Sequence, residues 1–273
     1  MNSAAPIESA NLRATWLWNT ELISSAAERE AILEFAAAEK IGRIYLQINP
    51  DITRVHYKEF IAAAMASGIQ IYALGGAPQW VLPEHRSAVS SAAEWVKAYN
   101  YHAAARERFA GIQFDIEPYI LPEWTTDRRR IAGYWEDTMR LFQEEAKGSD
   151  PLRTNAALPF WLDEILTADG SRTLIVRMLE LLDEVTIMAY RDKAEAIIDI
   201  SRQELESGDR LGKSVYLAVE TNRTAEPSYI TFYEEGRAEM ERQLAIAEQT
   251  LRSHASFKGF AVHDYLGWRN LKA

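Results

Sequence analysis

The chain has 273 residues, of which 48% are apolar and 26% charged. That balance is typical of a globular protein and excludes a disordered or collagen-like chain. Its 30 Lys and Arg against 40 Asp and Glu give a formal charge of −10, the wrong sign for coating nucleic acid or an anionic membrane surface. It has no cysteine, which excludes disulfides, thiolate metal sites and cysteine nucleophiles.

Short runs rich in β-branched and aromatic residues alternate with longer helical patterns along the chain. Read as buried strands, these runs number eight: Arg13–Trp18, Arg43–Ile48, Gln70–Gly75, Gly111–Glu117, Thr154–Phe160, Glu184–Tyr190, Ser214–Glu220 and Lys258–Asp264. The helical patterns between them are Glu28–Glu39, Tyr57–Ala66, Ala88–Arg108, Asp127–Lys147, Thr173–Asp183, Ala194–Glu206 and Ser228–Ser253.

Eight repeats of strand and helix predict an α/β protein with a single (β/α)8 barrel over residues 1–273, since eight parallel strands close a barrel of roughly this length. The main alternative is an open, doubly wound sheet. That fold usually carries a glycine-rich turn after its first strand, and residues 16–21 contain no glycine.

Targeting and cofactor signals are absent from the sequence. No run approaches the roughly 18 apolar residues of a membrane span. Met1–Ala10 is polar and lacks the features of a signal peptide, which predicts a cytoplasmic location unless a leader has been removed. No dinucleotide fingerprint or serine elbow is present, so no cofactor is expected, and the oligomeric state stays open.

Because side chains alternate across a strand, the inner face of each predicted strand can be read directly. In the fourth strand the apolar side suits the surrounding helices and leaves Gln113, Asp115 and Glu117 facing the barrel axis. The same sorting places these residues inward on other strands: Asn49, Tyr190, Glu220 and His263.

These polar side chains gather at the carboxyl ends of the strands, where barrel enzymes place their active sites. An interior charge costs several kcal/mol unless it is paired or hydrogen-bonded. We therefore interpret the three inward carboxyl groups as a functional cluster; the alternative is a structural polar network. They belong to Asp115, Glu117 and Glu220.

Aromatic residues are numerous, with 8 Trp and 12 Tyr. Those near the carboxyl ends of strands, or in the loops that follow, are Trp18, Trp80, Tyr119, Trp124, Trp161 and Trp268. Aromatic faces stack on sugar rings, so the group predicts a carbohydrate-binding cleft. The alternative is that these large side chains pack the loops onto the barrel.

Two segments carry a family resemblance. The stretch Ala110-Gly111-Ile112-Gln113-Phe114-Asp115-Ile116-Glu117 resembles the strand-four signature D-G-x-D-x-D-x-E of the chitinase-like glycoside hydrolase family 18. Met188-Ala189-Tyr190 resembles the strand-six M-x-Y-D of that family. Ala110 and Gln113 stand where the signature has its first two Asp, and Arg191 follows Tyr190 in place of Asp.

The resemblance implies roles for three residues. Glu117 would protonate the glycosidic oxygen, and Asp115 would orient the substrate's acetamido group, which acts as the nucleophile. Tyr190 would help to hold that group. Trp268, shortly after strand eight, sits where such barrels often place an aromatic platform.

A second, positional resemblance is to a clan of retaining glycosidases, which carries its acid/base Glu at the end of strand four and its nucleophilic Glu at the end of strand seven. Glu117 and Glu220 occupy those positions. Glycoside cleavage generally uses two carboxyl groups, one protonated and one ionised. His263 is expected to hydrogen-bond one carboxylate or a substrate hydroxyl, because no metal-ligand spacing surrounds it.

Three hypotheses for function remain. The first is a glycoside hydrolase that acts on a neutral or aminosugar glycan with Glu117 as general acid. The second is a carbohydrate-binding barrel that has lost turnover. The third is a metal-dependent isomerase or hydrolase built on Asp115, Glu117, Glu220 and His263. For the first two hypotheses the expected partner is a carbohydrate, and no metal is expected.

Overall fold

The structure, a computed structural model, describes residues 13–148 and 150–273. The predicted lack of a signal peptide in Met1–Ala10 lies outside the described residues. Eight parallel strands follow one another around a closed barrel, and β8 pairs with β1 to close it. The strands are β1 (Arg13–Leu17), β2 (Ile41–Gln47), β3 (Gln70–Gly75), β4 (Gly111–Asp115), β5 (Arg153–Pro159), β6 (Glu184–Met188), β7 (Ser214–Glu220) and β8 (Phe257–His263).

The predicted (β/α)8 barrel is therefore confirmed, and each predicted strand agrees with an observed one to within two residues at either end. The surrounding helices are α1 (Ala26–Ala38), α2 (Arg54–Ala66), α3 (Ser87–Tyr101), α4 (Pro122–Thr126), α5 (Arg128–Ala146), α6 (Leu174–Leu181), α7 (Ala194–Ile200), α8 (Arg202–Leu211), α9 (Arg237–Leu251) and α10 (Tyr265–Asn270).

Several helix boundaries differ from the sequence prediction. The predicted helix Ser228–Ser253 begins only at Arg237, because Gly236 takes a left-handed φ of 89° that few other residues tolerate. The predicted helix over residues 194–206 is interrupted at Ser201, whose hydroxyl donates 2.8 Å to the Ile197 carbonyl, a bond that favours bending.

The third difference lies before β4. The predicted helix Ala88–Arg108 ends at Tyr101. The buried amide of Asn100 then exchanges two hydrogen bonds with the backbone of Phe109, at 3.0 and 2.9 Å. This side chain satisfies the backbone of the turn that leads the chain into β4.

The apolar residues form two layers. One layer packs the outer strand faces against the helices, as where Phe114 of β4 meets Phe142 of α5 at a ring separation of 4.1 Å. The other fills the barrel interior with these residues: Ala14, Trp16, Tyr45, Tyr72, Leu74, Ala218 and Ala261. The interior is thus a packed core, as expected of this fold.

A buried polar network also runs through the interior. At the amino end of the strands Arg43 pairs with Glu184 at 2.5 Å. Asn155 contacts Glu184 at 3.4 Å and accepts a 2.9 Å bond from Gln113. The Trp16 indole donates 2.7 Å to the other end of the Gln113 amide. Each of these side chains thus has at least one partner, and of their buried polar atoms only Nε of Arg43 is left unbonded among the described residues. This removes most of the cost of burying them.

Within residues 13–148 and 150–273, no helix is long and apolar enough to cross a membrane.

Candidate active site

The predicted catalytic side chains meet at the carboxyl ends of the strands. Asp115 is the last residue of β4, Glu220 the last of β7 and His263 the last of β8, with Glu220 and His263 in register. Glu117 and Tyr190 lie two residues past the ends of β4 and β6. The inward alternation that the sequence predicts for these strands is confirmed.

Both oxygens of the Glu220 carboxylate accept hydrogen bonds from protein donors. One oxygen, Oε1, accepts from the backbone N–H of Thr221 and of Asn222, both at 2.7 Å, and from the Asn222 amide at 3.0 Å. The other oxygen, Oε2, lies 2.8 Å from Nδ1 of His263. Burial raises the pKa of Glu220, but the hydrogen bonds and charge of His263 and the two backbone donors outweigh it and hold the pKa below its ordinary value. Glu220 is therefore an ionised carboxylate, and each of its two oxygens is held by a protein donor.

His263 connects Glu220 to Trp18. The indole N–H of Trp18 donates 3.0 Å to Nε2 of His263, and only a neutral imidazole has a lone pair there. The remaining proton then lies on Nδ1 and is donated to Glu220. Burial lowers the pKa of His263, but the hydrogen bond and charge of Glu220 raise it overall. The neutral ring accepts the bond from Trp18, and the protonated ring, which gives up that bond, is the charged form that lowers the pKa values of the neighbouring carboxyl groups.

Asp115 and Glu117 form a pair of the opposite character. Burial, together with the negative charge of Glu117, raises the pKa of Asp115 to about 7, against the opposing charge of His263. Burial also raises the pKa of Glu117, against the lowering effects of Tyr119 and His263. One oxygen of Asp115, Oδ1, is buried without a hydrogen-bond partner. Two such carboxyls cannot both ionise easily, so the pair retains a proton towards neutral pH.

Two tyrosines complete the centre. Tyr190 is held fully protonated, since burial and the charges of Glu220, Asp115 and Glu117 all raise its pKa well above the ordinary value. Its ring lies 6.2 Å from that of His263. The hydroxyl of Tyr119 interacts with Glu117, and burial and that charge raise its pKa too. Both hydroxyls can therefore donate hydrogen bonds to a ligand at this centre.

Gly76, which sequence reasoning did not single out, fixes the backbone beneath the pair. It follows β3 with φ of +143°, and a Cβ at this position would lie 2.0 Å from the carbonyl oxygen of Asp115. No side chain fits in that space. The Gly75-Gly76 pair at the end of β3 is the signal that could have indicated it, since glycine at a strand end often marks a close backbone approach.

We expect Gly76→Ala to lower the free energy of unfolding by about 2–4 kcal/mol, since it adds a steric clash to a strained φ. The Tm should fall by about 5–10 °C. Gly68→Ala is the matched control, because Gly68 also has a positive φ of +77° but no atom within 4 Å of its Cβ position. Equal decreases in Tm for the two variants would show that contact with Asp115 does not matter.

Some of the predicted sugar-binding aromatic residues lie near the predicted catalytic centre, and others pack outside the barrel. Trp18 packs against the inner cluster beside His263. Half-buried Trp161 contacts Tyr119 at a ring separation of 5.1 Å, and Tyr119 in turn contacts Glu117. Trp80 packs against Phe114, at 5.4 Å and on the outer side of β4. Of the predicted sugar-binding aromatics, Tyr119 therefore contacts Glu117, Trp161 lies behind Tyr119, and Trp18 contacts His263.

Two of the predicted platforms are wrong. Trp268 is 0% exposed and packs edge-on against Phe35 of α1, so it offers no face to a ligand. Trp124 is 7% exposed and lies between Trp135 and Trp161, where it supports the loop after β4. Both belong to the apolar layer outside the barrel. This is the alternative given above, in which large aromatic side chains pack loops and helices onto the barrel.

Two predicted polar contacts are also reassigned. The amide of Gln113 is completely buried and forms hydrogen bonds with Trp16, Asn155 and Thr186, so it does not reach the cleft. Asn49 lies past the end of β2, and its side chain accepts a 3.0 Å bond from the backbone of Asp51. Its side chain is used to close that turn.

In the described part of the chain, no group of three or more His, Asp and Glu side chains is placed to hold a metal ion. The third hypothesis, a metal-dependent enzyme, therefore has no preformed ligand set among these residues. Asp115, Glu117, Glu220 and His263 are instead engaged with one another and with Trp18 and Tyr119.

Several solved structures that share the barrel fold are chitinases and other glycoside hydrolases. A chitinase from Chromobacterium violaceum superposes with a TM-score of 0.59 at 11% identity, over 95% of this chain and 98% of that one. A GH113 β-1,4-mannanase gives a TM-score of 0.62 at 8% identity, over 94% and 88%. A mutant GH18 chitinase from Cycas revoluta in complex with (GlcNAc)4 gives 0.55 at 13%, over 94% and 95%. The sequence matches no protein-family model and no curated protein.

Proposed function

We propose that this barrel is a glycoside hydrolase that cleaves glycans containing 2-acetamido sugars, with Glu117 as the general acid. The observation that carries the proposal is the contrast between the carboxyl groups. Asp115 and Glu117 have raised pKa values beside tyrosine donors, whereas Glu220 is ionised and enclosed by its own donors. Groups whose environments push their pKa values apart are typical of acid/base sites.

The chemistry follows from these states. Glu117, protonated, gives its proton to the glycosidic oxygen as the bond to the anomeric carbon breaks. The carbonyl oxygen of the substrate's own acetamido group attacks that carbon and forms an oxazolinium ion. Asp115, which is ionised when the single proton of the pair lies on Glu117, accepts a hydrogen bond from the acetamido N–H and balances the positive charge. Water then opens the ring and passes a proton to the Glu117 carboxylate, so the enzyme ends in its starting state.

Substrate assistance is favoured over attack by Glu220. A nucleophilic carboxylate needs a free lone pair directed at the anomeric carbon. In Glu220, Oε1 accepts three hydrogen bonds from Thr221 and Asn222, and Oε2 is held at 2.8 Å by Nδ1 of His263, so the carboxylate is fixed by protein donors. We therefore assign Glu220 as a positioning residue that orients His263. The chitinases among the structural neighbours, one of which holds (GlcNAc)4, support the choice of acetamido substrate.

The test is a panel of oligosaccharides incubated with the purified protein and analysed for newly formed reducing ends. We expect cleavage of β-linked N-acetylglucosamine oligosaccharides, and none of xylose or mannose oligosaccharides of the same length. Cleavage of the xylose or mannose chains at equal rates would remove the acetamido group from the mechanism.

Glu220→Gln should reduce kcat by about 10–100-fold, the effect of losing charged hydrogen bonds worth about 1.5–3 kcal/mol. The His263 Nδ1 proton, observed by NMR, should lose the downfield shift that a carboxylate partner confers. Sodium azide should not restore activity to Glu220→Ala. If azide does restore activity, with formation of a glycosyl azide, then Glu220 is the nucleophile and the two-carboxylate mechanism holds.

A second candidate function is carbohydrate binding without turnover. It is supported by Ala110 and Gln113, which replace two Asp of the strand-four signature. Binding of N-acetylglucosamine oligosaccharides by the wild type with no product formed, and with the same affinity in Glu117→Gln, would favour this candidate.

A further inference from the structure

One arginine at the rim of the barrel mouth has no acidic partner. Arg191 follows Tyr190 above β6, and within the described residues no carboxylate oxygen lies within 4.0 Å of its guanidinium. The other described arginines without such a partner are exposed on the surface: Arg54, Arg106, Arg128, Arg129, Arg210 and Arg223. Arg191 alone among these unpaired residues is half-buried. Partial burial of an unpaired charge is costly, so a contribution from a ligand would explain it.

The neighbours of Arg191 hold its guanidinium plane in place. Its centre lies 4.9 Å from the ring of Phe160, just after β5, and 5.4 Å from the ring of Tyr229, in the loop after β7. The backbone N–H of Asp192 donates 2.9 Å to the Tyr229 carbonyl, which ties that loop to the chain after β6. Tyr229 is 52% exposed, so one of the two rings beside the guanidinium is accessible to solvent.

The donors of Arg191 are divided in a way that suits a carboxylate. Nη1 donates 2.7 Å to the Tyr190 carbonyl, which fixes the arginine beside a residue of the centre. Nε and Nη2 have no partner in the described residues and are not buried. These two atoms form one edge of the guanidinium plane, the edge that binds a carboxylate through two parallel hydrogen bonds.

We propose that Arg191 binds the carboxylate of a uronic acid residue in the glycan, next to the sugar at the Asp115–Glu117 pair. This inference rests on the proposed function, which supplies the 2-acetamido sugar at the centre. Together they define a chain in which N-acetylhexosamine and uronic acid units are linked. The net charge of −10 does not prevent such binding, because charges beyond about 8 Å are screened at physiological ionic strength.

The test measures equilibrium binding by calorimetry, in a Glu117→Gln background so that the ligand is not consumed. The ligands are a hexasaccharide of alternating N-acetylglucosamine and glucuronic acid, its carboxyl methyl ester, and a glucuronate-free chain with sulfated N-acetylglucosamine. We expect the acid to bind at least tenfold more tightly than the ester. Arg191→Gln should bring the two within about twofold, and Arg191→Lys should keep only part of the preference, because Lys keeps the charge without the fork.

Equal affinity for acid and ester, or a preference for the acid that persists in Arg191→Gln, overturns the assignment, as does tighter binding of the sulfated chain. Arg191→Lys keeps the question answerable if Arg191→Gln does not fold. The two proposals fail separately. If wild-type protein cleaves no glycan but the acid preference depends on Arg191, the hydrolase proposal fails and the carboxylate site stands. If the wild-type protein cleaves the glycan but does not prefer the acid to the ester, the hydrolase proposal stands and the carboxylate site fails.

Discussion

Glu117→Gln should lower kcat for an N-acetylglucosamine oligosaccharide by about 10²–10⁴-fold, the usual contribution of a positioned general acid. Gln has nearly the same shape as Glu and no proton to transfer to the glycosidic oxygen. Because burial raises the pKa of Glu117, the wild-type carboxyl keeps that proton to higher pH than an exposed Glu does. The measurement is initial rate against substrate concentration.

The dependence on leaving group identifies the acid step. An aryl glycoside with an acidic phenol needs little protonation as it departs, so Glu117→Gln should lose much less activity on it than on the oligosaccharide. Glu34→Gln, an exposed Glu on α1, is the matched control and should leave both rates unchanged. An equal loss on both substrates would contradict the role of Glu117 as general acid.

Asp115→Asn should lower kcat by about 10²–10³-fold, the effect of removing one preorganised electrostatic group from a transition state. The carboxylate of Asp115 balances the positive charge on the acetamido-derived ring, and Asn cannot. That charge forms whatever the leaving group, so the loss should be similar for the aryl glycoside and the oligosaccharide. A loss that disappears with the aryl glycoside would place Asp115 in the proton-transfer step instead.

Thermal unfolding separates this catalytic loss from damage to the fold. Because the pKa of Asp115 is raised from 3.8 to about 7, the folded chain binds its proton more tightly than the unfolded chain does. The contribution of Asp115 to the free energy of unfolding is fully present below pH 3.8. It decreases as the pH rises towards 7 and is absent above that pH. The Tm of Asp115→Asn relative to wild type should therefore rise between pH 4 and pH 8. Exposed Asp51→Asn should show no such trend.

The period of two was enough to predict the inner face of strands β4, β7 and β8, whereas it misplaced Asn49, which lies past the end of β2. Alternation alone places Asp115, Glu117, Glu220 and His263 on the inner face, and the structure brings them together at the barrel mouth. The regular alternation of apolar and polar residues in β4 makes this possible, since a shift of one residue would reverse both faces.

Sequence reasoning failed where loop geometry decides the outcome. The donors to Glu220 come from the backbone and side chain of the turn at Thr221 and Asn222, and no pattern indicates which way a carboxylate turns. Trp268 is buried because α10 packs against α1 through Phe35. A short helix of this kind leaves little periodic signal, so an aromatic residue there could equally have faced the cleft.

The most direct test of the proposed mechanism is the anomeric configuration of the first product from an N-acetylglucosamine tetrasaccharide, followed by proton NMR in the first minutes of reaction. Attack by the acetamido group and then by water gives two inversions at the anomeric carbon. We therefore expect the β-anomer to appear first and Glu117→Gln to form little of it. If the α-anomer appears first, water attacks the anomeric carbon directly, and the proposed roles of Asp115 and the acetamido group are wrong.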